Sequence, residues 1–497
     1  MSEFLEKLGD LREHIEKALE HWKVPGVAVS IVKDGKVVLA EGYGYKDVEN
    51  KVPMTPDTVL PIGSASKSFT SMAAAMLVEE GKMGWDTPVT EYIPAFKMYD
   101  PVATQLVNVR DMLCHRTGMP RHDLMWAISD HNTFTREDLI RRVRYLESSA
   151  QFRQKAQYQN HMFATVGYAI EKVSGKTWEE FVQEKIMDEL KMTDSNFSVA
   201  DSQKTADFGL PYRHDDEKNI IPANFMELGA PGPAGSINST ANDMTKWMLM
   251  QLNNGKVGEK QLISEELLTE MHKPQMHYVI LPFAFPEMQF PSLGLGWFTD
   301  VYRGSKMIHH GGNVTGFTAL CALLPEENLG ICILANMNST FITYALRNEV
   351  FDRAMGITDG NWHVRFKDEI DKLYGAMDEG KNALVDAKIP NTKPSLEISG
   401  YYGEYEHPGY GIVIVSKGAK EGDLTATFNS TKLALEHYHY DQFLLSLDEY
   451  NTKLPSRFTI GVDGKVESLG VPFEGEIGKD IAFTRKIEAD GSKDEGK

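Results

Sequence analysis

Residues 27–43, VAVSIVKDGKVVLAEGY, decide the fold because they place two runs of β-forming residues around a tight turn. Asp34-Gly35, between Val27–Lys33 and Lys36–Tyr43, is the strongest short signal for a β-hairpin. Further strand-like runs occur much later in the chain, at Lys306–His310, Gly316–Leu324 and Leu329–Asn336. We expect the early and late runs to pair in one antiparallel sheet.

Helices are predicted on both sides of these strands. Apolar residues recur at helical spacing between Phe4 and Leu19, and a second helix is predicted at Thr340–Met355. From Ser64 to roughly Leu268 most runs are also helical. The predicted fold class is therefore α/β (α+β), with an antiparallel sheet flanked by helices. Its sheet lobe comprises about 1–63 and 300–358, and a helical lobe of about 64–299 is inserted.

A smaller second domain is predicted after residue 358. Residues 359–394 are rich in charged residues, Asn and Pro and are interpreted as a helical linker that few contacts cross. Residues 395–488 contain short alternating runs separated by turn residues, the pattern of a small antiparallel β-barrel. Residues 489–497 form a polar tail. His407 and nearby tyrosines could line a pocket or fill the barrel.

Composition limits the class of protein. The 497 residues include 52 Lys plus Arg and 71 Asp plus Glu, a formal charge of −19. Such a chain repels nucleic acid and anionic membranes, so neither is an expected partner. Three cysteines cannot build a disulfide framework, and no signal peptide or membrane span is visible. These features predict a cytoplasmic protein of several lobes.

The main chemical motif is Ser64-Ala65-Ser66-Lys67, at the start of a predicted helix. Spacing of i and i+3 places the serine and lysine on one helical face, about 5–6 Å apart at Cβ. A serine becomes a nucleophile when a base takes its proton, and the helix N-terminus can stabilise an oxyanion. The second Ser-x-x-Lys, Ser30 to Lys33, lies in a predicted strand, where these positions point to opposite faces.

Two further segments support Ser64. Tyr158-Gln159-Asn160 is the only Tyr-x-Asn in the chain, and it offers a phenol for proton transfer and an amide for positioning. His310-Gly311-Gly312-Asn313 follows a predicted strand, and its glycines let a substrate approach the backbone. His115, in another quoted segment, is interpreted as a structural hydrogen-bonding residue.

With these motifs the chain resembles the serine β-lactamase and penicillin-binding-protein superfamily, and within it the class C β-lactamase-like peptidases and esterases. The motifs occur in the family's order, and the resemblance covers roughly residues 10–355. It also includes Val24-Pro25-Gly26-Val27-Ala28-Val29, Val109–Met119 and Gly294-Leu295-Gly296-Trp297. The barrel resembles the lipocalin-like domains appended to some of these peptidases, where such a domain can wall the active site or mediate assembly.

The resemblance implies a role for each candidate residue. Ser64 would be the acylated nucleophile, Lys67 and Tyr158 would handle its proton, and Asn160 would be a positioning amide. His310 replaces the lysine of the family's Lys-Thr-Gly motif, as in its D-peptidases and esterases, and is preferred over His309. Gly312 and Asn313 follow it, and the N–H groups of Ser64 and Asn313 would form the oxyanion hole. No cofactor or metal is implied.

The expected function is a serine hydrolase acting through an acyl-enzyme on small esters or peptides, including those with D-residues. The alternatives are a penicillin-binding acyl sensor, a non-catalytic scaffold, an acyltransferase and a weak β-lactamase. A homo-oligomer is left open. The apolar stretch Tyr278–Trp297 is interpreted either as core or subunit packing or as an apolar acyl pocket or lid.

Overall fold

The computed structural model describes residues 2–128, 134–279, 281–420, 422–448 and 451–486, so the predicted polar tail lies outside the described residues. The chain forms two compact units. The first comprises residues 1–96, 101–119 and 150–375, and the second comprises 97–100, 120–149 and 376–497. The second unit is therefore assembled from three separate stretches of sequence.

A nine-stranded sheet forms the centre of the first unit. Val27 pairs with Ala335, and the early hairpin closes where Lys33 pairs with Lys36, so the sequence-predicted antiparallel sheet is confirmed. The strands follow one another across the sheet in the order Met276–His277, Met288–Leu293, Phe298–Tyr302, Ser305–Val314, Phe317–Leu324, Leu329–Ala335, Gly26–Lys33, Lys36–Asp47 and Val52–Pro53. The first three of these lie mostly in the stretch predicted as helical lobe.

Helices cover the sheet and form the lobe that carries the candidate site. Those of the first unit are Ser2–Leu8, Leu11–Trp22, Ser66–Glu79, Pro101–Leu106, Val109–Leu113, Asn160–Ser174, Trp178–Val182, Asp188–Leu190, Val199–Ser202, Ala241–Leu252, Glu265–His272 and Ile342–Ala354. Leu11–Trp22 and Ile342–Ala354 bury apolar side chains in the same core as the sheet. The α/β class with helices flanking an antiparallel sheet is confirmed.

The helix Trp362–Asp386 occupies the stretch predicted as a linker. Its first turns bury Trp362, Phe366 and Ile370 in the core of the first unit. Trp362 Nε1 also donates to Asp352 Oδ2 at 2.7 Å. An aromatic anchor in the first unit therefore follows two residues after Gly360, within the predicted linker.

The second unit contains a closed eight-stranded antiparallel barrel, which confirms the predicted barrel. Its strands are Gly403–His407, Gly411–Lys417, Leu424–Phe428, Thr431–His439, Gln442–Leu447, Thr452–Ile460, Val466–Val471 and Ile481–Arg485. Tyr401, Tyr405 and Tyr410 are fully buried and contact the rings of Phe458 and Phe473. These tyrosines therefore fill the barrel. Whether the barrel is lipocalin-like, and the exact domain limits, stay predictions.

Residues 120–128 and 134–149 pack on the barrel within this second unit. His122 is fully buried, its Nδ1 lies 2.8 Å from the Tyr410 hydroxyl, and its backbone N–H donates to Glu474. The short helices Leu124–Ala127 and Arg136–Arg142 belong to the same stretch, and Arg142 donates to the Gly409 carbonyl. A segment from the first third of the sequence is thus part of the same compact unit as the barrel.

None of the helices in the described part of the chain is both long enough and apolar enough to cross a lipid bilayer.

Candidate active site

Ser64 lies in a 3₁₀ turn, Gly63–Ala65, that leads directly into the helix Ser66–Glu79. The turn begins at Gly63, whose φ of +51° is a left-handed conformation that glycine adopts without strain. Lys67 follows one turn later on the same helical face, and its Nζ lies 3.1 Å from Ser64 Oγ. The predicted pairing of serine and lysine is present.

Lys67 is fully buried and forms further hydrogen bonds. Its Nζ donates to Asn160 Oδ1 and to the Ala234 carbonyl, both at 2.7 Å. Both oxygens can only accept, so these two bonds use N–H groups of Lys67 in either charge state. Asn160 and the Ala234 carbonyl therefore hold the Lys67 amino group against the Ser64 oxygen.

Tyr158 lies immediately before the helix Asn160–Ser174, which begins with the Gln159 side chain accepting from the His161 N–H at 2.8 Å. The Lys67 Nζ lies 4.8 Å from the centroid of the Tyr158 ring. The ring is partly exposed, whereas Asn160 is buried. The structure therefore brings the phenol, the lysine and the asparagine together beside Ser64.

Gly312 brings the strand Ser305–Val314 into backbone contact with the serine turn. A methyl group at position 312 would lie 1.9 Å from the Ile62 carbonyl oxygen and 2.7 Å from Ser64 N. In the same way, a methyl group at Gly63 would lie 2.9 Å from Asn313 N. The amides of Ser64 and Asn313 are consequently on adjoining backbone segments, the arrangement required of two oxyanion-hole donors.

His310 is buried on the same strand and is held neutral. Its Nδ1 lies 2.7 Å from the Gly311 carbonyl, which can only accept, so Nδ1 carries the hydrogen and Nε2 is an acceptor. Burial, together with the nearby charge of Lys67, holds the pKa of His310 well below its ordinary value of 6.5. His309 instead bonds Asp300 at 2.9 Å, so only His310 is within the influence of Lys67.

Aromatic side chains surround the phenol of Tyr158. The ring centroids of Tyr278, Phe298 and His310 lie 6.5, 6.3 and 6.2 Å from its own. The stretch Tyr278–Trp297 thus contributes both to the sheet and, through Tyr278, to the site. No group of three or more His, Cys, Asp or Glu in the described ranges is arranged to hold a metal ion.

Two contacts at this site were not predicted from the sequence. The Ala234 carbonyl binds Lys67, but every residue has a carbonyl, so no sequence signal marks it. His115 stacks on the Tyr158 ring, with centroids 4.4 Å apart and planes 25° apart. The segment around His115 was visible as a motif, although its proximity to Tyr158 was not.

This serine–lysine site on a sheet flanked by helices belongs to a known family. The β-lactamase family profile matches residues 11–349, and the chain is a member of this family of serine hydrolases. A second profile, described as a domain of unknown function (DUF3471), matches residues 387–485. The resemblance inferred from the motifs is confirmed.

The chain is similar in sequence to named hydrolases and shares its fold with a penicillin-binding protein homologue of known structure. It is 26% identical over 504 residues to an unguisins hydrolase of Aspergillus campestris, covering 96% of this chain and 91% of that protein. It is 26% identical over 337 residues to Protein flp of Staphylococcus aureus, covering 67% of this chain and 64% of that protein. The structure of the octameric penicillin-binding protein homologue from Pyrococcus abyssi shares the fold, with a TM-score of 0.64 and 24% identity over 96% of this chain and 100% of that one.

Proposed function

We propose that this protein hydrolyses small, uncharged esters or peptides through an acyl-enzyme on Ser64. The observation that carries the proposal is the fully buried Lys67, whose Nζ lies 3.1 Å from Ser64 Oγ. Burying a lysine is costly unless its polar atoms are bound, and here Asn160 and Ala234 bind them. The burial of Lys67 in this position is explained if it serves nucleophilic catalysis by the adjacent serine.

The proposed reaction has two stages. The Ser64 hydroxyl gives its proton to the Tyr158–Lys67 pair while Oγ bonds to the substrate carbonyl carbon. The resulting oxyanion accepts hydrogen bonds from the N–H groups of Ser64 and Asn313. The bond to the leaving group then breaks, and that group takes the proton. Water attacks the acyl-enzyme by the same route, releasing the acid and restoring Ser64.

The preference for uncharged substrates rests on His310. This residue occupies the position of the family's third-motif lysine, and burial keeps it neutral. It therefore provides no positive charge to bind a substrate carboxylate, while the partly exposed rings of Tyr158 and Tyr278 provide apolar surface. Weak activity on β-lactams, which carry such a carboxylate, follows. The unguisins hydrolase relative supports hydrolysis as the reaction.

Active-site labelling tests the nucleophile. A fluorophosphonate should modify Ser64, as located by peptide mass spectrometry, and Ser64→Ala should abolish both labelling and ester hydrolysis. Ser68→Ala is the matched control, because this hydroxyl lies on the same helix but donates to the Ala65 carbonyl at 2.7 Å. Labelling of another serine, such as the buried Ser30, would overturn the assignment.

Substitution of the proton-transfer pair tests the mechanism. Lys67→Ala and Tyr158→Phe should each lower ester turnover by about 10²–10⁴-fold, the range for losing an acid–base partner. Lys172→Ala is the matched control, because Lys172 lies 4.4 Å from the ring centroid of Tyr168 and so repeats the lysine–tyrosine contact on the helix Asn160–Ser174. Full activity in either test variant would contradict the mechanism. Sedimentation would decide whether the protein forms a homo-oligomer, which the sequence leaves open.

A further inference from the structure

His115 has an unusual backbone conformation beside the proposed catalytic tyrosine. It follows the helix Val109–Leu113, is 1% exposed, and has a φ of +61°. A left-handed conformation is uncommon for any residue other than glycine, although His, Asn and Asp adopt it more readily than most. His115 is therefore a buried histidine in an uncommon backbone conformation.

His115 binds the backbone on both sides of Tyr158. Its carbonyl accepts from the Gln157 N–H at 2.8 Å, and its Nδ1 accepts from the Gln159 N–H at 2.9 Å. A backbone N–H can only donate, so Nδ1 is unprotonated and the ring hydrogen lies on Nε2. His115 therefore binds the main chain of both residues that flank Tyr158, and its bond from the Gln159 N–H fixes its tautomer.

The imidazole of His115 also restrains the tyrosine ring itself. The two rings are stacked with centroids 4.4 Å apart, while the Lys67 Nζ lies 4.8 Å from the Tyr158 centroid. Phe163 contacts both partners, with its centroid 5.1 Å from that of His115 and 5.3 Å from the Lys67 Nζ. Main chain and side chain of Tyr158 are thus both held by His115.

We propose that His115 is a positioning residue that sets the Tyr158 phenol for proton exchange with Ser64. The proposal rests on the function proposed above, in which Tyr158 carries the serine proton. We assign His115 no proton-transfer step, because its Nδ1 accepts from the Gln159 N–H and its ring is stacked on the face of the Tyr158 ring. Misplacing a reacting group by 1 Å can cost about 10²-fold in rate, so a clamp of this kind has a measurable effect.

His115→Asn is the main test variant. Asparagine tolerates the left-handed conformation and offers an oxygen acceptor, but it removes the stacked ring. We expect kcat for a nitrophenyl ester to fall by about 10–100-fold with KM changed less than about twofold. His115→Phe, which keeps a ring and loses the acceptor, is the second variant. Rates are compared only for the variant that circular dichroism shows to be folded.

The chain offers a closely matched control in His122. This residue is also fully buried, has a φ of +49°, and contacts a tyrosine, Tyr410, in the second unit. His122→Asn makes the same chemical change away from Ser64. It should lower stability while leaving kcat per folded enzyme within about twofold of the unmodified protein.

A double-mutant cycle separates positioning from a general structural effect. The rate at which a fluorophosphonate labels Ser64 is compared for the unmodified protein, His115→Asn, Tyr158→Phe and the double variant. If His115 acts through the phenol, His115→Asn should slow labelling by about 10–100-fold alone and by less than about twofold in the Tyr158→Phe background. An equal loss in both backgrounds, or no loss in either, would overturn the proposal.

The same labelling experiment gives one result if the proposed function fails and another if only the proposed role of His115 fails. Absence of label on Ser64 in the unmodified protein refutes the proposed function, and the role of His115 with it. Label on Ser64 with a rate that depends on Tyr158 but not on His115 leaves the proposed function intact and refutes the positioning role alone.

Discussion

Gly312→Ala tests directly the backbone contact on which the proposed oxyanion hole depends. The added methyl group would lie 1.9 Å from the Ile62 carbonyl oxygen, whereas ordinary contact begins near 3.4 Å. The strand and the serine turn must therefore separate by about 1.5 Å, the difference between these distances. The methyl carbon is fixed in place by the backbone, and the Ile62 oxygen belongs to the main chain, so no side-chain rotation relieves the clash.

This separation moves the Asn313 amide away from the Ser64 amide. Misplacement by 1 Å can cost about 10²-fold, so we expect kcat/KM for a nitrophenyl ester to fall by at least about 10²-fold. That factor corresponds to about 3 kcal/mol of lost transition-state stabilisation. The loss should appear mainly in kcat, because donors aimed at the oxyanion act in the transition state.

The neighbouring Gly311→Ala is the matched control. A methyl group there would lie 3.3 Å from the Tyr344 hydroxyl and 3.4 Å from the Ala319 carbonyl, which small adjustments can accommodate. We expect it to change kcat/KM by less than about threefold, with both proteins folded by circular dichroism. The reasoning is refuted if a folded Gly312→Ala retains more than a third of the activity, or if both alanine variants lose activity equally.

Three further predictions concern stability. Burial holds the pKa of His363 at about 3, against an ordinary value of 6.5. Between pH 6.5 and pH 3, the unfolded chain therefore binds a proton at His363 that the folded protein does not bind. The free energy of unfolding, measured in urea, should fall by up to about 1.4 kcal/mol per pH unit from pH 6.5 towards 3, and His363→Asn should flatten this slope; unchanged slopes would contradict it. Ending the chain after Gly360 should give an aggregated product by size-exclusion chromatography, because losing a buried Trp362 costs about 3–5 kcal/mol; a folded monomer would argue against this. Tyr410→Phe should leave His122 Nδ1 without its donor and destabilise the second unit by about 1–3 kcal/mol in hydrogen exchange, and unchanged protection would refute it.

The sheet was predictable because its central strands carry strong local signals. Asp34-Gly35 marks the hairpin, and the late strands are continuous apolar runs. The strand Met288–Leu293, next to the edge strand Met276–His277, was missed, because it contains Pro291 and is only partly buried, features that weaken both periodicity and strand propensity. Such a strand takes its identity from the partners beside it, which a single sequence does not reveal.

Within the site, contacts between residues of one helix could be predicted from their spacing, whereas contacts between residues far apart in the sequence could not. Ser64 and Lys67 are three residues apart, so helical geometry alone places them together. Asn160 could be joined to them only through the family resemblance, because 93 residues separate it from Lys67. His115 was interpreted as structural, since a buried histidine is common and nothing local indicates that it faces Tyr158.

The bond between His122 and Tyr410 has a consequence for synthesis on the ribosome. The two residues are 288 positions apart, and His122 is made first. At about 5–20 residues per second, the segment 120–149 waits roughly 15–60 s for its partner to emerge. During that interval its apolar side chains, including Leu139 and Ile140, which are buried in the finished protein, lack the barrel. The order of synthesis therefore leaves apolar side chains of this segment open to aggregation until the residues of the barrel have been translated.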